Sequence, residues 1–125
     1  MASPTSRTID ALKSDGWISG IVEKWNPHAR IRQDLFGFAD ILAASPERTP
    51  KLIQTTSGSN VSSRVAKIIA EPRARTALLS GFTIEVWGWR RLKVKRGGKA
   101  VRWEPRIVSV TLADFADVER KEGAA

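Results

Sequence analysis

The stretch KLIQTTSGSNVSSRVAKIIA, residues 51–70, carries the strongest signals for the architecture. The first part, Lys51–Thr56, is a short run of the kind that forms a strand, and Ser57–Asn60 is a loop of small polar residues. In the second part the apolar residues recur at helical spacing: Val61, Val65, Ile68 and Ile69. A second strand is predicted over Thr83–Trp89. A strand–helix–strand unit inside an otherwise antiparallel chain indicates an α/β domain with a mixed sheet.

The elements on either side complete this plan. Upstream we predict an amphipathic helix from Ser3-Pro4 to Gly16, a strand over Trp17–Trp25, an extended region over Ile31–Ala44, and a turn from Ser45 to Pro50. Downstream we predict hairpin strands over Arg90–Lys95 and Ala100–Trp103, a last strand over Arg106–Leu112, and a short helix over Ala113–Glu119. The chain is therefore expected to be one α/β domain. Its α-β-β-β-α-β core spans about residues 6–89, a basic C-terminal β-hairpin and last strand span about 90–112, and residues 120–125 are expected to fray.

The composition excludes several classes of protein. The chain has 125 residues, of which 42% are hydrophobic, enough for a buried core. It has no cysteine, which excludes disulfide scaffolds, thiolate nucleophiles and cysteine-ligated metals. The single histidine, His28, is expected to be an ordinary loop residue, and it excludes sites built from several histidines. No segment reads as a signal peptide or a membrane span, so a membrane role is not expected.

Positive charge is concentrated in one segment. The chain has a net charge of +8, and Arg90–Arg106 carries eight basic residues against Glu104 alone. The eight are Arg90, Arg91, Lys93, Lys95, Arg96, Lys99, Arg102 and Arg106. Such a segment favours a polyanionic partner such as nucleic acid over an anionic membrane surface. The alternative is a solvated hairpin that keeps the protein soluble.

Two polar positions stand out in apolar surroundings. Asp40 follows Phe38-Ala39, and a carboxylate there is costly to bury unless it meets a cation, a metal or a donor. Gln54 and Thr56 point to the same face of their strand because the side-chain period is two. If the two strands pair, Asp40 and Gln54 converge.

The start of the second helix is a candidate phosphate site. The loop Ser57–Asn60 exposes backbone donors at the helix N-terminus, and Arg64 and Lys67 follow within two turns. Trp87 and Trp89 share a strand face and either stack on unpaired bases or cover the sheet.

These motifs together resemble the PD-(D/E)XK restriction-endonuclease-like superfamily, and within it the small Holliday-junction resolvases and phage nucleases. Lys13-Ser14-Asp15-Gly16-Trp17 resembles the end of the first helix and its glycine turn. Phe38-Ala39-Asp40-Ile41 resembles the strand with the metal-binding aspartate. Lys51–Thr56 resembles the strand with the acid-x-lysine pair, and Ser57–Ile69 resembles the loop and helix behind it.

The resemblance implies a site for weakly held Mg²⁺ or Mn²⁺. Asp40 stands at the aspartate, Gln54 at the second acid, the Thr55 carbonyl between them, and Thr56 at the lysine. Glutamine offers only a neutral oxygen and threonine offers no charge. Glu23, Asp34 or Asp10 would then add a carboxylate, and Lys67, Arg64 or, less convincingly, Lys51 would replace the lysine.

Other roles are open for these residues. Asp34 either ligates the metal, caps the turn at Leu35–Gly37 or pairs with Arg30 or Arg32. Glu23 is either a ligand or a surface residue, and Gln54 is either a ligand or a strand residue satisfied by a backbone group.

The resemblance implies an enzyme that hydrolyses DNA, including branched or flapped DNA. It also implies a location in the cytoplasm of a bacterium or a phage-infected cell, and it allows a homodimer. The alternatives are a catalytically degenerate module that only binds nucleic acid, through the hairpin and Arg64, and a regulatory protein that binds another protein.

Overall fold

A mixed five-stranded sheet forms the centre of the computed structural model, which describes residues 2–116. In chain order the strands are β1 (Ile18–Ile21), β2 (Lys24–Asn26), β3 (Ile31–Gln33), β4 (Ile41–Ser45), β5 (Arg48–Ser57), β6 (Thr83–Lys93) and β7 (Val101–Val110). The sheet order is β1-β4-β5-β6-β7, and β2 and β3 form a separate two-stranded sheet. The predicted single α/β domain is confirmed.

The helices cover both faces of this sheet. They are α1 (Pro4–Ser14), α2 (Val61–Ile69) and α3 (Pro72–Leu79), and a 3-10 turn over Gly58–Asn60 leads into α2. Residues 112–116 are also helical, and the rest of the predicted C-terminal helix, with residues 120–125, lies outside the described residues. Within residues 2–116, no helix has the length and apolar character needed to cross a membrane.

Helix α1 forms where its local signals predict. The Ser3 side chain accepts from the Ser6 backbone N–H at 3.1 Å, and the Ser6 hydroxyl accepts from the Ser3 N–H at 2.9 Å, so two backbone donors without a helical partner are satisfied. Pro4 occupies the first turn, where its missing N–H costs nothing. Gly16, with φ +82°, reverses the chain after the helix.

The unit built from β5, α2, α3 and β6 sets the topology. Its strands pair in parallel from Lys51 opposite Thr83 to Ser57 opposite Trp89, while the other neighbours in the sheet are antiparallel. The order α1-β1-β4-β5-α2-β6 reproduces the predicted core, with the β2–β3 hairpin and α3 as insertions. The parallel pairing places the carboxyl ends of β5 and β6 at one edge of the sheet.

The two faces of β5 and β6 divide the core into two layers. Leu52, Ile84 and Val86 pack against α2, whose buried Val61 and Ile68 and partly buried Val65 and Ile69 form the predicted apolar side. The alternate residues Ile53, Trp87 and Trp89 pack on the other face with Leu12 and Trp17. Side chains that alternate with period two thus cover both faces of each strand.

The prediction of one extended region over Ile31–Ala44 was wrong. The chain turns sharply at Phe36 (φ 56°) and Gly37 (φ 81°), where the Gly37 N–H donates to the Asp34 carbonyl at 3.0 Å. Asp40 therefore lies in the bend just before β4 and not inside a strand. The prediction of a single strand over Trp17–Trp25 was also wrong, because the chain leaves the large sheet after Ile21.

Two other boundaries differ from the prediction. The turn after β4 is shorter than expected, and Pro50 belongs to β5 at a register shift, which lets a strand hold a proline without losing a ladder bond. The hairpin strands are continuous with their neighbours, so β6 and β7 pair from Ile84 opposite Val110 to Lys93 opposite Val101.

A substitution at Gly88 tests how tightly α2 packs on β6. A Cβ atom at this position would collide with Val61 Cγ2 and lie 3.1 Å from the Gly58 Cα. We expect Gly88→Ala to lower the free energy of unfolding by about 1–3 kcal/mol in urea titrations. Gly20→Ala is the matched control in an open strand position, since nothing lies within 4 Å of its added methyl. Equal effects of the two substitutions would show that α2 packs loosely on β6.

Candidate metal centre and basic surface

Three carboxylates converge beside the carboxyl end of β5. They come from separate segments: Glu23 after β1, Asp34 after β3 and Asp40 before β4. One oxygen of each lies within 4.8 Å of the others. The antiparallel pairing of Ile21 with Ile41 causes this meeting, and it continues as a bond from the Val22 N–H to the Asp40 carbonyl at 2.8 Å. We call Glu23, Asp34 and Asp40 the acidic trio.

Asp40 is fixed against β5 by its backbone and its side chain. Its N–H donates to the Ile53 carbonyl at 2.9 Å, and its Oδ2 accepts from the Thr55 N–H at 2.9 Å. Only 7% of the residue is exposed. Burial, a hydrogen bond to Asp34 and the charges of Asp34 and Glu23 raise the pKa of Asp40 to about 7, against the opposing effect of the Thr55 N–H. The site therefore favours a proton or a cation between its carboxylates.

Gln54 completes the inner surface of the site. It is 2% exposed, and its Nε2 donates to Asp34 Oδ2 at 3.3 Å. Its Oε1 is buried and finds no hydrogen-bond partner among residues 2–116. The alternative in which a backbone group satisfies Gln54 was therefore wrong. A buried carbonyl oxygen without a donor is costly, and a cation is one group that would satisfy it.

A cavity of about 280 Å³ opens onto these groups. Its lining consists of the acidic trio, Gln54, Thr55, Arg64, and Pro4 and Thr5 from the first turn of α1. The Thr5 and Thr55 hydroxyls lie 3.1 Å apart, so α1 closes one side. A water molecule occupies about 30 Å³ of the liquid, so the cavity admits an ion that keeps part of its hydration shell.

Cations surround the acidic trio. Arg32 pairs with Glu23 at 2.8 Å, and Lys67 Nζ lies 3.7 Å from Asp34 Oδ2. Asp34 thus meets Lys67 and Gln54 and not Arg30 or Arg32, while its carbonyl caps the turn. The Glu23 side chain is 16% exposed, so the structure brings it into the site and not onto the open surface.

The remaining predicted site residues lie outside the cavity. Thr56 is buried on the same face as Gln54 but is absent from the cavity lining. Asp10 lies on the exposed side of α1, and Lys51 pairs with Glu85 at 3.0 Å beneath Trp17. Arg64 and Lys67 therefore are the predicted lysine substitutes that the fold places near the carboxylates.

The basic hairpin extends past this edge of the sheet. β6 runs beyond the Ser57–Trp89 pair, so its last four residues and their β7 partners project from the side where the acidic trio lies. All eight basic side chains of Arg90–Arg106 are exposed. Among residues 2–116, one ion pair neutralises part of this charge, between Arg102 and Glu104 at 2.8 Å.

Trp87 and Trp89 cover the sheet, which is one of the two roles that their shared strand face predicted. Trp87 is 6% and Trp89 8% exposed, and their N–H groups donate to Glu85 Oε1 at 3.0 Å and to Thr8 Oγ1 at 2.8 Å. His28 is an exposed loop residue whose backbone N–H donates to Asn26 Oδ1 at 3.0 Å.

Sequence reasoning overlooked two groups that the fold makes available. Thr5 reaches the cavity from α1, and Trp103 is 43% exposed on β7. The alternation of β7 next to a basic segment was a signal for Trp103, whereas nothing local marks Thr5.

Comparison of the chain with family models, curated proteins and solved structures found no match.

The pKa of Asp40 predicts an unusual pH dependence of stability. The unfolded carboxyl ionises near its ordinary pKa of 3.8, whereas the folded one keeps its proton up to about 7. The folded state therefore binds more protons in this window, and the free energy of unfolding falls as the pH rises through it. Each pKa unit corresponds to about 1.4 kcal/mol, so the full change is at most about 4 kcal/mol.

Asp40→Asn should remove this fall, since asparagine keeps an acceptor for the Thr55 N–H without the charge. Urea unfolding between pH 4 and pH 8 in metal-free buffer measures it. Asp15 provides a contrast of opposite sign, because hydrogen bonds from Trp17 and Arg48 lower the pKa of this exposed carboxyl. Its contribution is lost only as the pH falls below the ordinary value of 3.8, so Asp15→Asn should lower the free energy of unfolding by a similar amount throughout pH 4 to pH 8. A parallel loss of pH dependence in both variants would contradict the assignment to Asp40.

Proposed function

We propose that the chain is a divalent-metal-dependent nuclease that hydrolyses phosphodiester bonds in DNA at the acidic trio. One observation carries the proposal: Gln54, whose buried Oε1 has no hydrogen-bond partner among residues 2–116, lines the same cavity as the three carboxylates. Carboxylate and carbonyl oxygens are the donors that Mg²⁺ and Mn²⁺ prefer. The cluster and the unpaired oxygen together supply a mainly anionic, all-oxygen donor set.

The residues that would hold the ion are Asp40, Asp34, Glu23 and Gln54, with Thr55 offering its backbone carbonyl as the resemblance suggests. A bound Mg²⁺ or Mn²⁺ would polarise the scissile phosphate and lower the pKa of an attacking water. The ion would also replace the proton that the buried Asp40 otherwise holds at neutral pH.

The cations of the site act on the substrate. Arg64 lines the cavity and is placed to neutralise a phosphate oxygen, since a planar guanidinium matches phosphate geometry. Lys67, 3.7 Å from Asp34 and with a half-exposed side chain, is free to turn toward a phosphate that enters beside Asp34. These two side chains take the place of the lysine missing at Thr56.

The second candidate is a module of the same fold that binds DNA without cleaving it. The burial of Thr56 favours this alternative, because no cation occupies the strand position that bears the lysine in the resembling nucleases. Both candidates predict DNA binding through Arg64 and the hairpin, and metal-dependent cleavage separates them.

Asp40→Asn should abolish cleavage and metal binding together. We expect Mn²⁺ to raise the Tm of the wild type, because it binds the folded site and not the unfolded chain. Asp40→Asn should lose this shift and nick supercoiled and four-way-junction DNA at least about 100-fold more slowly, while its DNA binding in EDTA stays close to that of the wild type. The matched control is Glu47→Gln, at an exposed acid in the turn between β4 and β5, outside the trio.

Gln54→Glu and Lys67→Ala test the two departures from the nuclease pattern. Gln54→Glu should lower the Kd for Mn²⁺, because a charged oxygen replaces a neutral one. Lys67→Ala should slow cleavage without weakening metal binding. A wild type that binds DNA tightly, shows the Mn²⁺ shift and yet cleaves no DNA substrate would establish the binding module. Cleavage that survives Asp40→Asn would place the active site elsewhere.

The hairpin should supply much of the DNA affinity by binding phosphates. Alanine at Arg91, Lys93, Lys95 and Arg96 should weaken duplex binding and reduce the slope of log K against log salt by about 0.9 for each phosphate that the variant no longer neutralises. Titrations in EDTA at several salt concentrations measure the slope without cleavage. Lys13→Ala, which removes an exposed charge near the far end of α1, is the control for net charge. An unchanged slope in the hairpin variant would mean that the hairpin does not touch the DNA backbone.

A further inference from the structure

A groove between α1 and the basic hairpin carries an exposed tryptophan. The groove has a volume of about 380 Å³ and is lined by Arg7, Asp10, Ala11, Ser14, Trp89 and Trp103. Trp103 is 43% exposed, whereas Trp89 beneath it is 8% exposed and already closes the core. The Arg7 guanidinium lies over the Trp103 ring, 4.0 Å from its centroid. The core does not require the exposed indole, so its position invites a ligand with a flat apolar face.

The surroundings of Trp103 are positively charged. Trp103 pairs with Arg91 across the hairpin, and Lys93 points to the same face as Arg91 because the side-chain period is two. Three cations, Arg7, Arg91 and Lys93, therefore flank the groove, whereas Asp10 is the one acid in its lining. The groove therefore combines an aromatic floor with a cationic rim, which suits a ligand made of flat rings joined by anionic links.

The groove lies close to the candidate metal centre. Thr5 lines the metal cavity and Arg7 lines the groove, and two helical residues two positions apart lie about 200° apart around the axis. The two sites therefore flank the N-terminal part of α1, a helix about 10–12 Å in diameter.

We propose that this groove binds one unpaired base of a DNA strand, stacked against Trp103 and the Arg7 guanidinium, with the adjoining phosphates on Arg91 and Lys93. The inference rests on the proposed nuclease function and names its substrate class: DNA with a single-stranded segment near the scissile phosphate. Bases within a duplex are already stacked on each other and present only their edges, so duplex DNA cannot use the indole. An acidic polypeptide would meet the same cations but would gain nothing from the ring.

The test is equilibrium binding of a labelled single-stranded dT12 and of a 12-base-pair duplex, in EDTA so that no cleavage is required. Trp103→Ala should weaken dT12 binding about tenfold or more and duplex binding by less than about twofold. Trp103→Phe keeps a stacking surface and should retain most of the dT12 affinity, which separates stacking from any loss of folding. Trp25→Ala, at the other exposed tryptophan (55% exposed, on β2), is the matched control and should change neither affinity.

Three results would overturn the groove assignment. They are equal losses on dT12 and duplex with Trp103→Ala, a Trp25→Ala effect as large as that of Trp103→Ala, and competition by polyglutamate as effective as competition by dT12. The nuclease proposal can be rejected independently of the groove assignment. A selective Trp103 effect in EDTA without cleavage in Mn²⁺ would keep the groove and reject the nuclease, whereas Asp40-dependent cleavage without a Trp103 effect would do the reverse.

Discussion

The structure of the site depends on the hydrogen bond from the Thr55 N–H to Asp40 Oδ2. This bond ties the bend before β4 to the end of β5, and the bend carries the chain back from the turn that contains Asp34. The Val22 N–H, bonded to the Asp40 carbonyl, brings Glu23 to the same point. Burying a carboxylate beside two others opposes folding, so the surrounding β-sheet must hold the three together. The raised pKa of Asp40 is the measurable sign of that opposition.

β5 passes from the hydrophobic core into the candidate site between Ile53 and Gln54, because the groups that face its side chains change there. Leu52 and Ile53 are buried in opposite hydrophobic layers. The next two residues, Gln54 and Thr55, have the same alternation but meet the cavity and the first turn of α1. Period-two alternation therefore presents the Gln54 side-chain amide and the Thr55 backbone N–H to the same place, in the part of β5 that keeps a regular register with β6.

The charge distribution gives two neighbouring parts of the molecule different chemistry. Negative charge is gathered into a partly buried cluster, and positive charge lies on an exposed hairpin that projects from the same sheet edge. A polyanion drawn to the hairpin would be repelled by a bare acidic trio, and a divalent cation in the cavity would reverse that repulsion. The proposed metal and the proposed polyanion would therefore be coupled through electrostatics.

Local signals in the amino-acid sequence were enough to predict several elements. The Ser3-Pro4 start and Gly16 end of α1, the apolar side of α2 and the strand–helix–strand unit all follow from caps, periodicity and the mixed-sheet rule. The same reasoning placed Asp40 beside Gln54.

Long-range strand pairing determined the other features of the fold and the site. It split Ile31–Ala44 at Phe36, a residue type that gives no sign of a positive φ, and it drew Glu23 into the site through the Ile21–Ile41 pairing. It also buried Trp87 and Trp89 while it left Trp103 exposed, because β6 is central and β7 is an edge strand. Caps and periodicity act within a few residues, whereas these outcomes depend on which distant strands pair and in what register.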